Sequence, residues 1–363
     1  MPLEWKRLDA QQRSTFEGGD GQAGHAEARL AYLLGERTHE VGQPGGFLRR
    51  RTGSLGAAPH GNLLYVGAPG LGMPGTAYGL HRKALLQRRK MLYLGANDGL
   101  LHAFDARTGR ELFAYLPQAL LHLAPAAAST HYSAAPLLDG AAATAQVQAS
   151  GRWKTVLVSG MGGGAQGVFA LDITDPARFA QDGALWEFTD RDDKLMGNVR
   201  APPAFARINM GGKEGALAYR DFAVVASAYN NYVSDGKNTT APASAAAIFL
   251  LALDKAPGTP WVLGSNYFRL KVPVASGGDG GHDSGADAHA TRMRTQTRTP
   301  CPRRWVRPPP WWRAATARWP MCMRAICRAI SGALTWLAGR RGRMARGASW
   351  CLWRAMRRAG ASP

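Results

Sequence analysis

A chain that doubles back every few residues has few architectures open to it, and residues 91–115, MLYLGANDGLLHAFDARTGRELFAY, do so twice. Met91 to Leu94 and Leu100 to Phe104 are apolar runs of strand length. Between them, Asn97-Asp98-Gly99 offers the positive φ of a tight hairpin turn. Asp105 to Gly109 supply a second turn, in which the Asp105 carboxylate can accept backbone N–H bonds and Gly109 can turn left-handed. Glu111 to Tyr115 then read as a third strand.

The same grammar returns twice. Thr155 to Val158, the turn Gly162-Gly163-Gly164, Gly167 to Leu171, Asp172 and the aromatic run Leu185 to Phe188 make a second copy. Phe222 to Ala226, a polar insertion through Asn238, Ala247 to Leu253, Asp254, a turn at Pro257-Gly258 and Trp261 make a third. An apolar residue precedes each Asp (Phe104, Leu171, Leu253), and Phe113, Trp186 and Trp261 are expected on the strand that follows. The aspartates are read as turn caps and the aromatics as packing between repeats. Helical periodicity lasts no more than two turns anywhere from Asn62 to Ala275, which disfavours an α/β alternation. Stacking antiparallel units radially removes exposed sheet edges. The expectation is therefore an all-β fold, an irregular and incomplete β-propeller. The Asp-to-Asp intervals of 67 and 82 residues exceed the ~40 to 50 of regular blades, so about 215 residues supply four or five blades.

Charge divides the chain differently. The formal net charge is +20, yet residues 291–363 hold 17 Arg and no Lys, Asp or Glu, leaving 28 basic and 25 acidic groups before them. That tail also carries all four Cys (Cys301, Cys322, Cys327, Cys351) and seven of the eleven Trp. Four segments are expected: a polar lead-in (1–57), a propeller region (58–275), a Gly/Asp/Ala-rich linker (276–290) and a disordered or aberrant Arg/Trp/Cys-rich tail (291–363). Arg and Trp interleave in the tail as on a single-strand-binding surface, but without Lys or periodicity the reading is no specific nucleic acid. The Cys spacing is not that of a zinc site. No stretch is apolar for the ~18 residues of a membrane span, and Met1 to Lys6 show no apolar signal core, so neither a transmembrane segment nor a signal peptide is expected.

Chemistry-bearing constellations are sparse. Gly162-Gly163-Gly164 lacks the Lys-Ser/Thr of a phosphate loop. Arg49-Arg50-Arg51 is read as a solvated run, and His102 as a packed or rim residue. Asp190, Asp192 and Asp193 form the only dense acidic cluster. They are weak candidates for a cation, but the Gly of an EF-hand-like loop does not follow, and a solvated turn is preferred. No catalytic or cofactor-binding residue is assigned, and the chain is read as not an enzyme.

Several long strings resemble the propeller of the PilY-type (PilC/PilY) type IV pilus tip-associated adhesins: LYLGANDGLLHAFDARTGRELFAYLP (92–117), GRWKTVLVSGMGGGAQGVFALDITDP (151–176), LWEFTDRDD (185–193) and YNN (229–231), with ARLAYLLGER (28–37) and FLRRRTGSLG (47–56) upstream. The likeness covers about residues 26–275. It implies a quinoprotein-like propeller acting in pilus assembly, retraction control and surface attachment. Implied partners are pilus subunits, minor pilins, and a host or abiotic surface, at the cell surface, outer membrane or pilus tip. It also implies a large N-terminal region, so the chain is expected to be the C-terminal part of such a protein. The alternatives are a quinone-dependent dehydrogenase propeller, whose site residues are not found here, and a basic nucleic-acid-binding protein.

The family further implies calcium, held by a DxDxDGxxD loop that should precede a further blade; neither is present, so no cofactor is expected in this chain. Residues 311–339, WWRAATARWPMCMRAICRAISGALTWLAG, have no turn grammar. Read one base earlier in the codons, Trp319-Pro320 gives Ala and Cys322-Met323 gives Tyr or His. With permitted third bases the stretch becomes VVAGGDGAVADVYAGDLSGDLWRFDLAG, which restores that grammar. The expectation is a change of frame between about Ser276 and Arg294, and a chain non-functional as translated.

Overall fold

In the computed structural model, which describes residues 3–17, 22, 24–60, 62–149, 151–211, 218–227 and 246–272, the repeats fold as three antiparallel sheets of four strands. The first contains β1 (Leu64–Val66), β2 (Met91–Gly95), β3 (Leu101–Asp105) and β4 (Glu111–Tyr115). The second contains β5 (Ala142–Ala149), β6 (Arg152–Gly160), β7 (Gly167–Asp172) and β8 (Ala184–Thr189). The third contains β9 (Ala204–Asn209), β10 (Tyr219–Ser227), β11 (Ala246–Ala252) and β12 (Tyr267–Val272). Each sheet is a simple meander, its strands paired in chain order. Four α-helices accompany them among the described residues: α1 (Ala10–Ser14), α2 (His25–Leu33), α3 (Thr76–Ala84) and α4 (Phe179–Asp182).

The turn chemistry is as local rules require. Asp105 accepts from the backbone N–H groups of Arg107 (2.8 Å) and Thr108 (3.1 Å), while Gly99 and Gly109 sit at φ +89° and +71°. Asp172 caps its own turn through Thr174 N–H at 3.0 Å. The repeat extends to irregularities: a register shift falls between Ala103 and Phe104 in the first sheet, and at the corresponding Ala170/Leu171 step in the second. The segment that leads into each new sheet lies across the end of the second strand of the sheet before it. A Cβ on Gly95 would stand 2.7 Å from the Leu138 carbonyl oxygen, and one on Gly160 would overlap that of Val199. Only glycine admits that crossing.

Two apolar layers hold the sheets together. Met91, Tyr93, Leu101 and Ala103 of the first sheet meet Leu157, Phe169 and Leu171 of the second. On the other face of the second sheet, Val156, Val158, Val168 and Phe188 meet Val225, Phe249 and Leu251 of the third. Period-2 alternation thus makes the middle sheet apolar on both faces. Each fully buried large side chain in these layers contributes roughly 1.5–3 kcal/mol. Leu8, Phe16, Leu30 and Leu33 from the lead-in pack on Leu100, Leu121 and Ala124, which anchors α1 and α2 to the first sheet.

Several expectations need correction. There are three sheets among the described residues rather than four or five, because long connections separate them. The first strand of every sheet escaped the sequence reading: β1 is three residues long, and β5 reads AATAQVQA, with a strand imposed by its eight-residue pairing to β6. Inside the propeller region, α3 is a helix the apolar pattern did not show, fixed by Tyr78, whose hydroxyl reaches the Gly70 carbonyl (2.6 Å) and whose ring packs on Trp153. The last strand of the third sheet is Tyr267–Val272, not the stretch at Trp261, which lies in the loop before it; there Asn266 closes a turn onto Val262 N–H (2.7 Å) and the Pro260 carbonyl (2.9 Å). Asp254 does not cap a turn but takes the Arg220 guanidinium at 2.8 Å. The linker, the tail with the expected change of frame, and Tyr229 to Asn231 lie outside the described residues.

Candidate functional site

The outer side of the first sheet, where β3 and β4 face the end of α2 and the start of α4, holds a cavity of about 700 Å³. Leu34, Leu55, Phe104, Phe113 and Phe179 give it apolar walls, and His102 and Glu111 its polar part. Phe113 and Phe179 stack at 3.8 Å, so the wall joins the first sheet to the helical turn that enters β8.

His102 is buried, with both ring nitrogens engaged. Nδ1 lies 2.7 Å from Glu111 Oε1, and Nε2 lies 3.1 Å from Asp98 Oδ2. Asp98 is fixed in turn by the N–H groups of Gly56 (2.7 Å) and Leu100 (3.1 Å). Burial by itself would lower the imidazole's pKa; the carboxylates of Asp98 and Glu111 outweigh it and raise it above the ordinary histidine value. A histidine whose charged form is favoured by a carboxylate on each ring nitrogen is placed as a strut rather than a general base. The arrangement can pack an apolar or aromatic group against Phe104 and Phe113 and offer the half-exposed Glu111 to a cation at the rim.

Further charged groups tie the sheets. Glu187 on β8 accepts from Tyr115 Oη (2.9 Å) of the first sheet and from the N–H groups of Gln118 (2.7 Å) and Ala119 (3.2 Å). Its burial raises the carboxyl pKa despite those donors. The Glu187 carbonyl accepts from Trp261 Nε1 at 2.7 Å, so this one residue touches elements of all three repeats. Asp221 on β10 binds Arg207 through both oxygens (2.7 Å each) and also takes Gln148 N–H of the second sheet (2.7 Å).

The acidic cluster does not converge. Asp193 turns inward, its carboxylate on Arg269 Nη1 (2.6 Å) and Tyr267 Oη (3.1 Å). Asp192 caps Thr189 N–H at 2.8 Å, and Asp190 stands apart from both partnerships. Among the described residues no group of three or more His, Cys, Asp or Glu side chains is placed to hold a metal ion. The arginine run is also not a solvated surface. Arg51 is buried on Glu40 (2.9 Å), the Tyr32 and Glu36 carbonyls and the Tyr32 ring, and Arg49 reaches the Ala127 carbonyl and the Tyr132 ring. Only Arg50 of the three faces outward. The buried carboxylate of Glu40 is paired by Arg51 and by Arg37 Nη2 at 3.0 Å. Gly162-Gly163-Gly164 is a strand turn, with Gly163 N–H on Asp139 at 2.6 Å. His102, Glu187 and Asp221 were not singled out for these roles from the letters, since their partners are brought by register and by sheet stacking.

A family model described as the PilY1 beta-propeller domain matches residues 55–258, more than half of the chain. A type IV pilus biogenesis factor PilY1 homolog of Xylella fastidiosa is 36% identical over 202 residues, covering 53% of this chain and 16% of that protein. The type IV pilus biogenesis factor PilY1 of Pseudomonas aeruginosa is 29% identical over 226 residues, covering 58% of this chain and 19% of that protein. The matched part thus spans less than a fifth of these relatives. The crystal structure of the Pseudomonas aeruginosa PilY1 C-terminal domain aligns at 28% identity with a TM-score of 0.39, over 55% of this chain and 33% of the other.

Proposed function

From the premise that this chain belongs to the PilY1 beta-propeller family, we propose that it is a portion of a type IV pilus biogenesis and surface-attachment factor. The observation that carries the reading is the coincidence of the family match with the three stacked meanders, since residues 55–258 contain the first two sheets entire and most of the third. On this reading the sheets are a scaffold and the connections between them the presenting surface. The partners are pilus subunits, minor pilins, and a host or abiotic surface, and the place of action is the cell surface, outer membrane or pilus tip. The relatives are named as biogenesis factors rather than enzymes, and we read the chain as not an enzyme. The implied calcium has no matching donor set among the described residues, so no step is assigned to it.

The test is a replacement. In a piliated bacterium, the corresponding propeller segment of the resident factor is exchanged for residues 55–258 of this chain, and surface pili are counted against a strain in which that segment is deleted. Restored pili on a chimera present at normal level are expected. A stable, exported chimera that leaves the cells bald would overturn the proposal, and turnover of an alcohol with added quinone by the purified chain would favour the dehydrogenase alternative.

A further inference from the structure

The connection between β1 and β2 combines two characters that surfaces usually keep apart. Residues 41–97 contain no Asp or Glu, and residues 82–90 carry Arg82, Lys83, Arg88, Arg89 and Lys90. The two most exposed large apolar side chains among the described residues, Leu71 at 81% and Leu80 at 64%, belong to the same connection. A single exposed leucine is ordinary. Two of them beside a run of cations that no acid dilutes mark a surface for a partner that is both anionic and apolar.

The helix α3 is seated on one side only. Its Tyr78 hydroxyl donates to the Gly70 carbonyl and its Tyr78 ring packs on Trp153, while His81 Nε2 lies 3.0 Å from Gln146 Oε1. Arg88 fastens the far end, donating to the Gly67 carbonyl (2.6 Å) and to Thr155 Oγ1 (2.7 Å). At about 100° per residue, Leu80 stands about 200° and Lys83 about 140° round the helix from Tyr78. Both therefore share the outward side, and Leu71 follows directly on the carbonyl that Tyr78 holds.

Topology gathers more charge at this place. The pairings of Val66 with Met91 and of Met91 with Asp105 put the β1–β2 connection and the β3–β4 turn at one end of the first sheet. Ala106 N–H donates to the Lys90 carbonyl (2.9 Å), and Arg107 and Arg110 are exposed on that turn. The acids nearby are engaged: Asp105 with its own turn and Arg89 (3.4 Å), Glu111 with His102 (2.7 Å), and Asp172 with Lys154 (2.9 Å). Lys83, Lys90, Arg107 and Arg110 have no ion-pair partner among the described residues.

We propose that this end of the first sheet is a seat for an anionic lipid surface. Lys83, Lys90, Arg107 and Arg110 meet headgroup phosphates, and Leu71 and Leu80 enter the boundary of the acyl chains. The leucines decide between partners, since a soluble polyanion satisfies the cations but leaves an aliphatic side chain in water. With nine residues, α3 is far short of the about 20 needed to span a bilayer, so it lies on the surface. The inference goes beyond the pilus reading and does not rest on it; a failed vesicle experiment leaves the pilus counts untouched, and bald chimeras leave the vesicle result untouched.

The test mixes the full chain with vesicles of phosphatidylcholine alone or of phosphatidylcholine with phosphatidylglycerol, both doped with a lipid that carries a diazirine on its acyl chain. The 17 Arg of residues 291–363 also attract anionic vesicles, so the contact is located by mapping the photolabel along the chain. Label within residues 71–86 is expected on the mixed vesicles and not on phosphatidylcholine alone. Leu71→Ser combined with Leu80→Ser, both exposed, should cut that label about tenfold. Lys83→Gln and Lys90→Gln should each cut it about fivefold. Label confined to residues 291–363, equal label on both kinds of vesicle, or label indifferent to the leucine substitutions would overturn the proposal. Slowed amide exchange in α3 on adding dextran sulfate, without any lipid label in residues 71–86, would assign the surface to a soluble polyanion instead and equally overturn it.

Discussion

With a carboxylate on each ring nitrogen, His102 couples the stability of the first sheet to pH. Its folded pKa is raised, so its contribution is complete below the ordinary histidine value of about 6.5 and drains away as pH rises through the folded value. His102→Gln is expected to cost about 1.5–3 kcal/mol near pH 6, the range for hydrogen bonds to charged groups, and progressively less as pH rises through the folded value. Thermal melts of both chains across that range check it, and a pH-independent difference would refute the charged strut. A second residue-scale prediction concerns backbone crossing. Gly160→Ala forces a Cβ into the Val199 carbonyl and is expected to cost about 1–3 kcal/mol. Gly109→Ala has open space around its Cβ and meets only its φ of +71°, so chemical denaturation should rank it milder. Gly99, Asp105 and Gly109 were legible in the letters because a turn is satisfied within four residues. His102 and Arg51 were not: Glu111 reaches His102 only through the strand pairing, and Arg51 meets Glu40 only after the lead-in folds back.

Whole strands were legible where they carry their own apolar signal. Met91 to Tyr115 and Gly167 to Leu171 match the observed elements to within a residue, because both are bounded by turn chemistry. The first strands were silent for the opposite reason. Alanine and glutamine in β5 have no strand preference of their own, and the pairing with β6 decides. What holds elements of different sheets together is also invisible in a linear reading, since Asp193 and Arg269, or Glu187 and Tyr115, are more than seventy residues apart. Asp193→Ala leaves Arg269 on β12 without its carboxylate and is expected to cost about 3–5 kcal/mol. Asp190→Ala, outside that partnership, should stay within about 0.5 kcal/mol. Were the acidic cluster a cation site, calcium would raise the melting temperature of the native chain and both substitutions would abolish the rise; the inward turn of Asp193 leads to the opposite expectation, no calcium-dependent shift.

At the scale of the molecule, order passes from sheet to sheet through two layers that share the middle sheet and no other. Leu157 belongs to the layer with the first sheet, while Phe249 belongs to the layer with the second and third, and both are fully buried. Truncating either leaves a cavity costing about 2–5 kcal/mol, but the two losses should not spread equally. Leu157→Ala loosens the contact of the first and second sheets and is expected to raise amide exchange in β2, β3, β6 and β7, while β11 and β12 keep their protection. Phe249→Ala should do the reverse, exposing β10 to β12 and leaving β2 and β3 as slow as before. Exchange measured strand by strand separates a stack, in which neighbours alone feel a defect, from a single cooperative body, in which either substitution lowers protection in all three sheets alike.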